Sequence, residues 1–171
     1  MRNLHVVGVV IVLVGCAARA ASDIPQVAAP NSRPDSIVLR RTPCLGTCPV
    51  YRLRLSSTGQ VAFNDGDVKT DTVPVAVVDA LLAYANAMDI RSLPDTIDHG
   101  SGHCRDYATD HPSIEVSLFG AEPKHMHYYT GCYTGAGFHA VSNPMHAVKA
   151  FAARMDTLTG ATRWIRPASR R

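Results

Sequence analysis

Nowhere does this chain run to twenty consecutive apolar residues, which excludes a membrane-spanning helix of ordinary length. Nor is one sign of charge in large excess. Seventeen Lys and Arg stand against 14 Asp and Glu, a net charge of +3 with a pI near 8.7. That is too little for a dedicated nucleic-acid binder, whose domain carries a basic stripe. Aromatic residues are scarce at 6 %, with a single Trp, and charged residues reach only 18 % against 46 % apolar. This balance argues for a folded globule rather than wholesale disorder, and 171 residues leave room for one domain with one core. A complete catalytic signature is missing too. Gly100-Ser101-Gly102 lacks the flanking order of a nucleophile elbow. The glycines from Gly131 to Gly137 lack the strand-glycine-helix setting of a phosphate cradle. Asp95, Asp98, Asp106 and Asp110 lie in a loop-like segment where carboxylates are ordinarily solvated.

What is present begins at the N-terminus. Met1-Arg2-Asn3 opens a short positive start, and an apolar stretch from Leu4 to Gly15 follows it, the layout of an export signal. Leu13-Val14-Gly15-Cys16 resembles the bacterial lipobox, in which cleavage precedes a cysteine that already carries a diacylglyceryl group. Ala18-Arg19-Ala20 offers a competing small-x-small cleavage site. The lipobox reading makes residues 1–15 a lipoprotein signal peptide and Cys16 the lipidated first residue of the mature chain. Three acyl chains, as mature lipoproteins carry, make detachment negligible, since two already suffice for stable attachment. Ala17, a neutral residue in the following position, resembles the sorting signal for the outer membrane. Ala17 to Pro34 is rich in Ala, Ser and Pro and reads as a flexible tether with a mean span of about 25 Å. The linker is therefore placed at residues 16–35, the folded domain at 36–166 and a basic tail at 167–171.

Within the domain, hydrophobic periodicity gives the elements. Ile37-Val38-Leu39 is a short apolar run, and Tyr51, Leu53 and Leu55 alternate with Arg52, Arg54 and Ser56, the period of a strand with one wet face. Turns at Thr58-Gly59 and Asn64-Asp65-Gly66 bracket Val61 and Phe63, and Val68 to Val73 adds a short strand. Val75, Val78, Leu81, Leu82, Ala85 and Met88 share one helical face behind Pro74, which predicts a helix over Val75–Asp89. Ser92 to Pro112 shows no period and reads as a long irregular loop. Ile114, Val116 and Leu118 then alternate, and His125 to Thr130 returns after a Gly-Ala-Glu-Pro turn as a hairpin partner. Asn143-Pro144 opens a second helix as cap and first residue, with Val148, Phe151, Ala152, Met155 and Leu158 on its apolar face and Gly160 as its stop. Trp164 and Ile165 close the core. Strands, helix, strands, helix imply an α+β fold: an antiparallel sheet built from two strand groups, each followed by a helix, both helices on one face.

Apart from Cys16, the cysteines are Cys44, Cys48, Cys104 and Cys132, an even number that suggests disulfides in an exported chain and allows three connectivities. Cys104 precedes one arm of the second hairpin and Cys132 follows the other, so antiparallel pairing favours Cys104–Cys132 and leaves Cys44–Cys48. Chain entropy assigns the long bridge roughly 3.6 kcal/mol and the short one about 2 kcal/mol. Cys44-Leu45-Gly46-Thr47-Cys48-Pro49 also admits a redox reading, but its three-residue spacer and the strand that follows both depart from the helix-capping dithiol of thiol-disulfide enzymes.

Arg41-Thr42-Pro43-Cys44-x-Gly46-x-Cys48-Pro49-x-Tyr51, with the alternating strand and Gly59 behind it, resembles the signature of the bacterial family called domain of unknown function 6438. The resemblance extends from about Ser36 to Trp164-Ile165. It implies a small exported protein or lipoprotein, and it brings no catalytic residue, ligand or cofactor with it.

Seven of eight histidines lie between His99 and His146. His99, His103 and Cys104 fall within six residues, and His125 and His127 share a strand face, so these four imidazoles are the candidate metal ligands. An oxidised Cys104 could not serve as a thiolate ligand, so the metal and disulfide readings compete. The sequence thus favours a lipid-anchored envelope protein acting as a binding or accessory module, with no cofactor and no nucleic acid. Its partners on this reading are the membrane, through the anchor, and an unspecified envelope protein or small ligand. The alternative is a metal-dependent or thiol-active periplasmic enzyme built on the His99–Cys104 loop.

Overall fold

The structure is a computed structural model and describes residues 33–133 and 143–166. The signal peptide at 1–15, Cys16, nearly all of the tether, most of the glycine-rich stretch and the tail at 167–171 lie outside the described residues. No helix among the described residues is long and apolar enough to cross a membrane.

The first strand group is β1 (Ser36–Arg41), β2 (Tyr51–Ser56), β3 (Gln60–Asn64) and β4 (Val68–Thr72), and α1 (Val75–Ala87) follows it. The second comprises β5 (Thr96–Ile97), β6 (Asp106–Tyr107), β7 (Ser113–Phe119), β8 (Lys124–Tyr129) and β9 (Cys132–Tyr133), and α2 (Pro144–Leu158) comes after it. Seven strands form one sheet in the order β4-β3-β2-β1-β7-β8-β5, while β6 and β9 make a separate two-stranded ribbon. The first strand therefore sits in the middle. It pairs antiparallel with β2 on one side and with β7 on the other, joining the two strand groups.

Register settles the two faces. Leu39 stands opposite Leu53 and Val116, Leu53 opposite Phe63, and Val116 opposite Met126, so one continuous apolar row crosses five strands. Alongside it Ile37, Leu55, Val61 and Leu118 form a second row. Both rows are buried together with Val78, Leu81 and Ala85 of α1 and with Val148, Phe151, Ala152 and Met155 of α2. Both helices cover this face, as the sequence pattern predicts. Trp164 completes one end by packing on Phe63, with ring centroids 5.6 Å apart, and Phe63 in turn stacks on Tyr51 at 5.0 Å.

Local chemistry accounts for the element ends. Gly59 makes the β2–β3 turn at φ +87°, and a Cβ there would meet the Val73 carbonyl oxygen, so the turn accepts glycine alone. Asn143 caps α2 by accepting from the Met145 amide at 2.9 Å, with Pro144 in the first turn. Asn143→Ala is expected to cost about 1 kcal/mol in urea unfolding, the ordinary loss of a cap. The outer edge at β4 is protected by charges on the inner side: Lys69 bonds Asp65, and Asp71 pairs with Arg163.

Some expectations need correction. The sheet is not wholly antiparallel, because β5 pairs parallel with β8 through Thr96–His127 and Ile97–Tyr128. The segment from Ser92 to Pro112, expected to be irregular, contains β5 and β6, and a 3₁₀ turn at Ile90–Ser92 leads into it. Helix α1 stops at Ala87 because Asp89 takes the left-handed conformation at φ 48°. Val75, assigned to the apolar face, is 47 % exposed at the first turn.

Candidate functional site

The sheet's other face carries no helix among the described residues. Strand alternation puts Arg40 of β1, Arg52 and Arg54 of β2, Glu115 and Ser117 of β7, and His125 and His127 of β8 on it. Arg40, Arg52, Arg54 and His125 are exposed. Arg40 lies directly opposite Arg52, an arrangement that destabilises a strand pair by like-charge repulsion. On its other side Arg40 faces Glu115 and donates from Nη1 to both carboxylate oxygens at 3.0 and 3.1 Å. Glu115 is the one acidic residue among the strand positions of this face. Arg52 and Arg54 have neither ion pair nor side-chain hydrogen bond among the described residues. The face is thus cationic, with two arginines uncompensated.

At the β7–β8 end the face turns mixed. His127 Nδ1 lies 3.6 Å from Glu115 Oε1, and its Nε2 lies 3.4 Å from the Ser113 hydroxyl. Beside it a shallow groove of about 600 Å³ is lined by His125, His127, Glu115, Ser117, Asp95 and Lys124. Lys124 donates to Asp95 and to the Leu93 carbonyl, so the groove's own charges are answered locally.

The four candidate metal ligands are not brought together. His125 and His127 stand on the open face, while His99 packs edge-on against Tyr107, with centroids 4.1 Å apart, in the loop before β6. Among the described residues no three His, Cys, Asp or Glu side chains gather as a metal would need. Cys104 is bonded to Cys132 and Cys44 to Cys48, so the loop offers no thiolate. The long bridge fastens the β6–β9 ribbon, whose ladder pairs Tyr107 with Cys132. The short bridge closes the β1–β2 connection and presents Leu45, 81 % exposed, at its tip.

On the helix side lies a polar cluster that no sequence motif singled out. Arg41 donates from Nε to the Tyr51 hydroxyl at 2.6 Å and from Nη2 to Asp156 at 3.0 Å, and Tyr51 donates to Asp156 at 2.7 Å. Burial pushes the Tyr51 phenol far above its ordinary value and the neighbouring Asp156 carboxylate adds to this, so the hydroxyl remains a donor. Burial also raises the Asp156 carboxyl, more than the hydrogen bond from Tyr51 and the Arg41 charge lower it. Tyr51 is 3 % and Asp156 5 % exposed, too little surface for a substrate to reach. The trio ties α2 to the ends of β1 and β2.

Arg41 and Tyr51 bound the segment that carries the cysteine loop, and the family model described as Domain of unknown function (DUF6438) matches residues 35–149, which contain it. The chain belongs to that family. The DUF6438 match runs from the start of β1 into α2 and ends before Asp156. Among curated proteins none matches the chain. Within this DUF6438 domain the cysteine loop is stitched to the second strand group: Thr42 donates to the Ser113 carbonyl at 3.1 Å, Ser113 returns a bond to the Thr42 hydroxyl, and the Leu45 amide reaches the Asp110 carbonyl. The arginines of the open face escaped sequence reasoning as a site. The available signal was two basic residues on the wet positions of β2 beside a third on β1.

Proposed function

We propose that this DUF6438 protein is a lipoprotein of the bacterial cell envelope, held at the periplasmic side of the outer membrane through acyl chains on Cys16. On this reading the domain is a binding or accessory module rather than an enzyme. The observation that carries the binding role is the open sheet face, where Arg52 and Arg54 stand exposed and uncompensated beside Arg40. Such an arrangement costs stability and gains from an anionic partner. The anchor rests on the apolar leader and on Leu13-Val14-Gly15-Cys16. Removing Arg2 with the leader leaves 16 basic residues against 14 acidic ones. The mature chain is then nearly neutral overall, and its positive character lies in patches.

Intact-mass measurement of the native protein tests the anchor. The expected product begins at Cys16, carries three acyl chains and sediments with membranes, while Cys16→Ser abolishes the acyl mass. An unacylated species that still starts at Met1 and is recovered from the cytosol overturns the reading.

A further inference from the structure

We infer that the open sheet face is a docking surface for an anionic phospholipid bilayer; this deepens the function proposed above, from which it takes a site of action at a membrane. The occupant follows from the chemistry of the face. A protein partner gains most of its binding energy from a buried apolar or aromatic centre. Here the centre is charged and polar, with Arg40, Arg52 and Arg54 around the largely covered Val38.

Exposed apolar side chains instead stand towards the rim. Leu45, 81 % exposed, tips the disulfide-closed loop between β1 and β2. Val50, 48 % exposed, immediately precedes β2 at its Tyr51 end. Arginines on an open sheet face with aliphatic residues at one end match an interface of phosphate headgroups above acyl chains, the pairing used by surface-binding membrane segments. Each cationic side chain near an anionic bilayer strengthens its hold by about fivefold, and salt screens the effect.

The Cys44–Cys48 bridge gives Leu45 a rigid mount, so its insertion loses little conformational freedom. With Cys16 acylated, the domain would be covalently held near the same bilayer, which turns weak docking into a largely occupied state.

The test uses the chain from Ala17 onward, which lacks both the apolar leader and the acylated cysteine, and co-sedimentation with vesicles of phosphatidylcholine alone or with 30 mol % phosphatidylglycerol. Binding is expected to the anionic vesicles only, and to fall as salt rises. Arg52→Ala with Arg54→Ala is expected to weaken partitioning about 30-fold at an unchanged melting temperature. Leu45→Asp weakens it as well. Absence of binding to anionic vesicles, or equal binding by the double arginine variant, overturns the inference. So does tighter binding of soluble polyglutamate than of vesicles, which assigns the face to an acidic protein. Because acylation is read from the native protein's mass and docking from the unacylated chain, the two proposals fail separately.

Discussion

Asp156→Ala is expected to lower the unfolding free energy by about 3 kcal/mol, measured by urea denaturation at neutral pH. The reason is what the substitution leaves behind. Arg41 would keep its charge with its main partner gone, and the buried Tyr51 hydroxyl would lose its acceptor. Breaking a fully buried pair costs about 3–5 kcal/mol, and the Arg41 side chain keeps 22 % of its surface, enough to recruit some water, so the lower end applies. The same physics gives a second result. Replacing all three residues together, Arg41→Met, Tyr51→Phe and Asp156→Leu, removes every orphan at once and should cost less than Asp156→Ala alone. A triple variant less stable than the single one would show that the trio contributes more than mutual satisfaction.

This cluster was half legible in the sequence. Asp156 falls eight residues after Val148, so it lies on the same apolar stripe of α2 as Phe151, Ala152 and Met155. It also lies near the helix C-terminus, where the macrodipole disfavours an acid. Two local rules broken at one position signal a tertiary partner. The partner's identity could not be read, because Arg41 and Tyr51 lie 115 and 105 residues away, at the ends of strands whose adjacency to α2 is set only by the assembled sheet.

The same division holds for the fold. Elements with a local cause were readable: the period-two strands β2 and β7, the Gly59 turn, and the Asn143-Pro144 start of α2. The central place of β1 was not, since Val38 against Ser117 is a pairing between residues nearly half the chain apart. Nor were β5, β6 and β9, each two residues long, because no periodicity can be expressed in two residues. Their pairing is imposed by neighbours: β5 by β8, and the β6–β9 ribbon by the Cys104–Cys132 bridge beside it. For the candidate site, sequence reasoning saw the histidines through their unusual crowding. It passed over the arginines, which become neighbours only once β1 and β2 are paired in register.

The two bridges should differ in what they hold, and the long one carries the larger effect. Cys104→Ala with Cys132→Ala opens a loop with a sequence separation of 28, worth roughly 3.6 kcal/mol, whereas Cys44→Ala with Cys48→Ala opens one of 4, worth about 2 kcal/mol. In a domain of this size the first corresponds to a melting-temperature loss on the order of 10 °C. Location sharpens the contrast. A ribbon of two two-residue strands has little stability of its own, so the Asp106–Tyr133 and Tyr107–Cys132 pairs depend on the covalent tie. Hydrogen exchange of the long-bridge variant should therefore show lost protection at the Ala108 and Arg105 amides, which bond the Gly131 and Tyr133 carbonyls, while the β1–β7 ladder stays protected. The short-bridge variant should keep the ribbon and loosen only the loop that presents Leu45. An equal loss of melting temperature in the two variants, or a ribbon that stays protected without its bridge, would show that β6 and β9 are held by the packing of their other residues rather than by the bond.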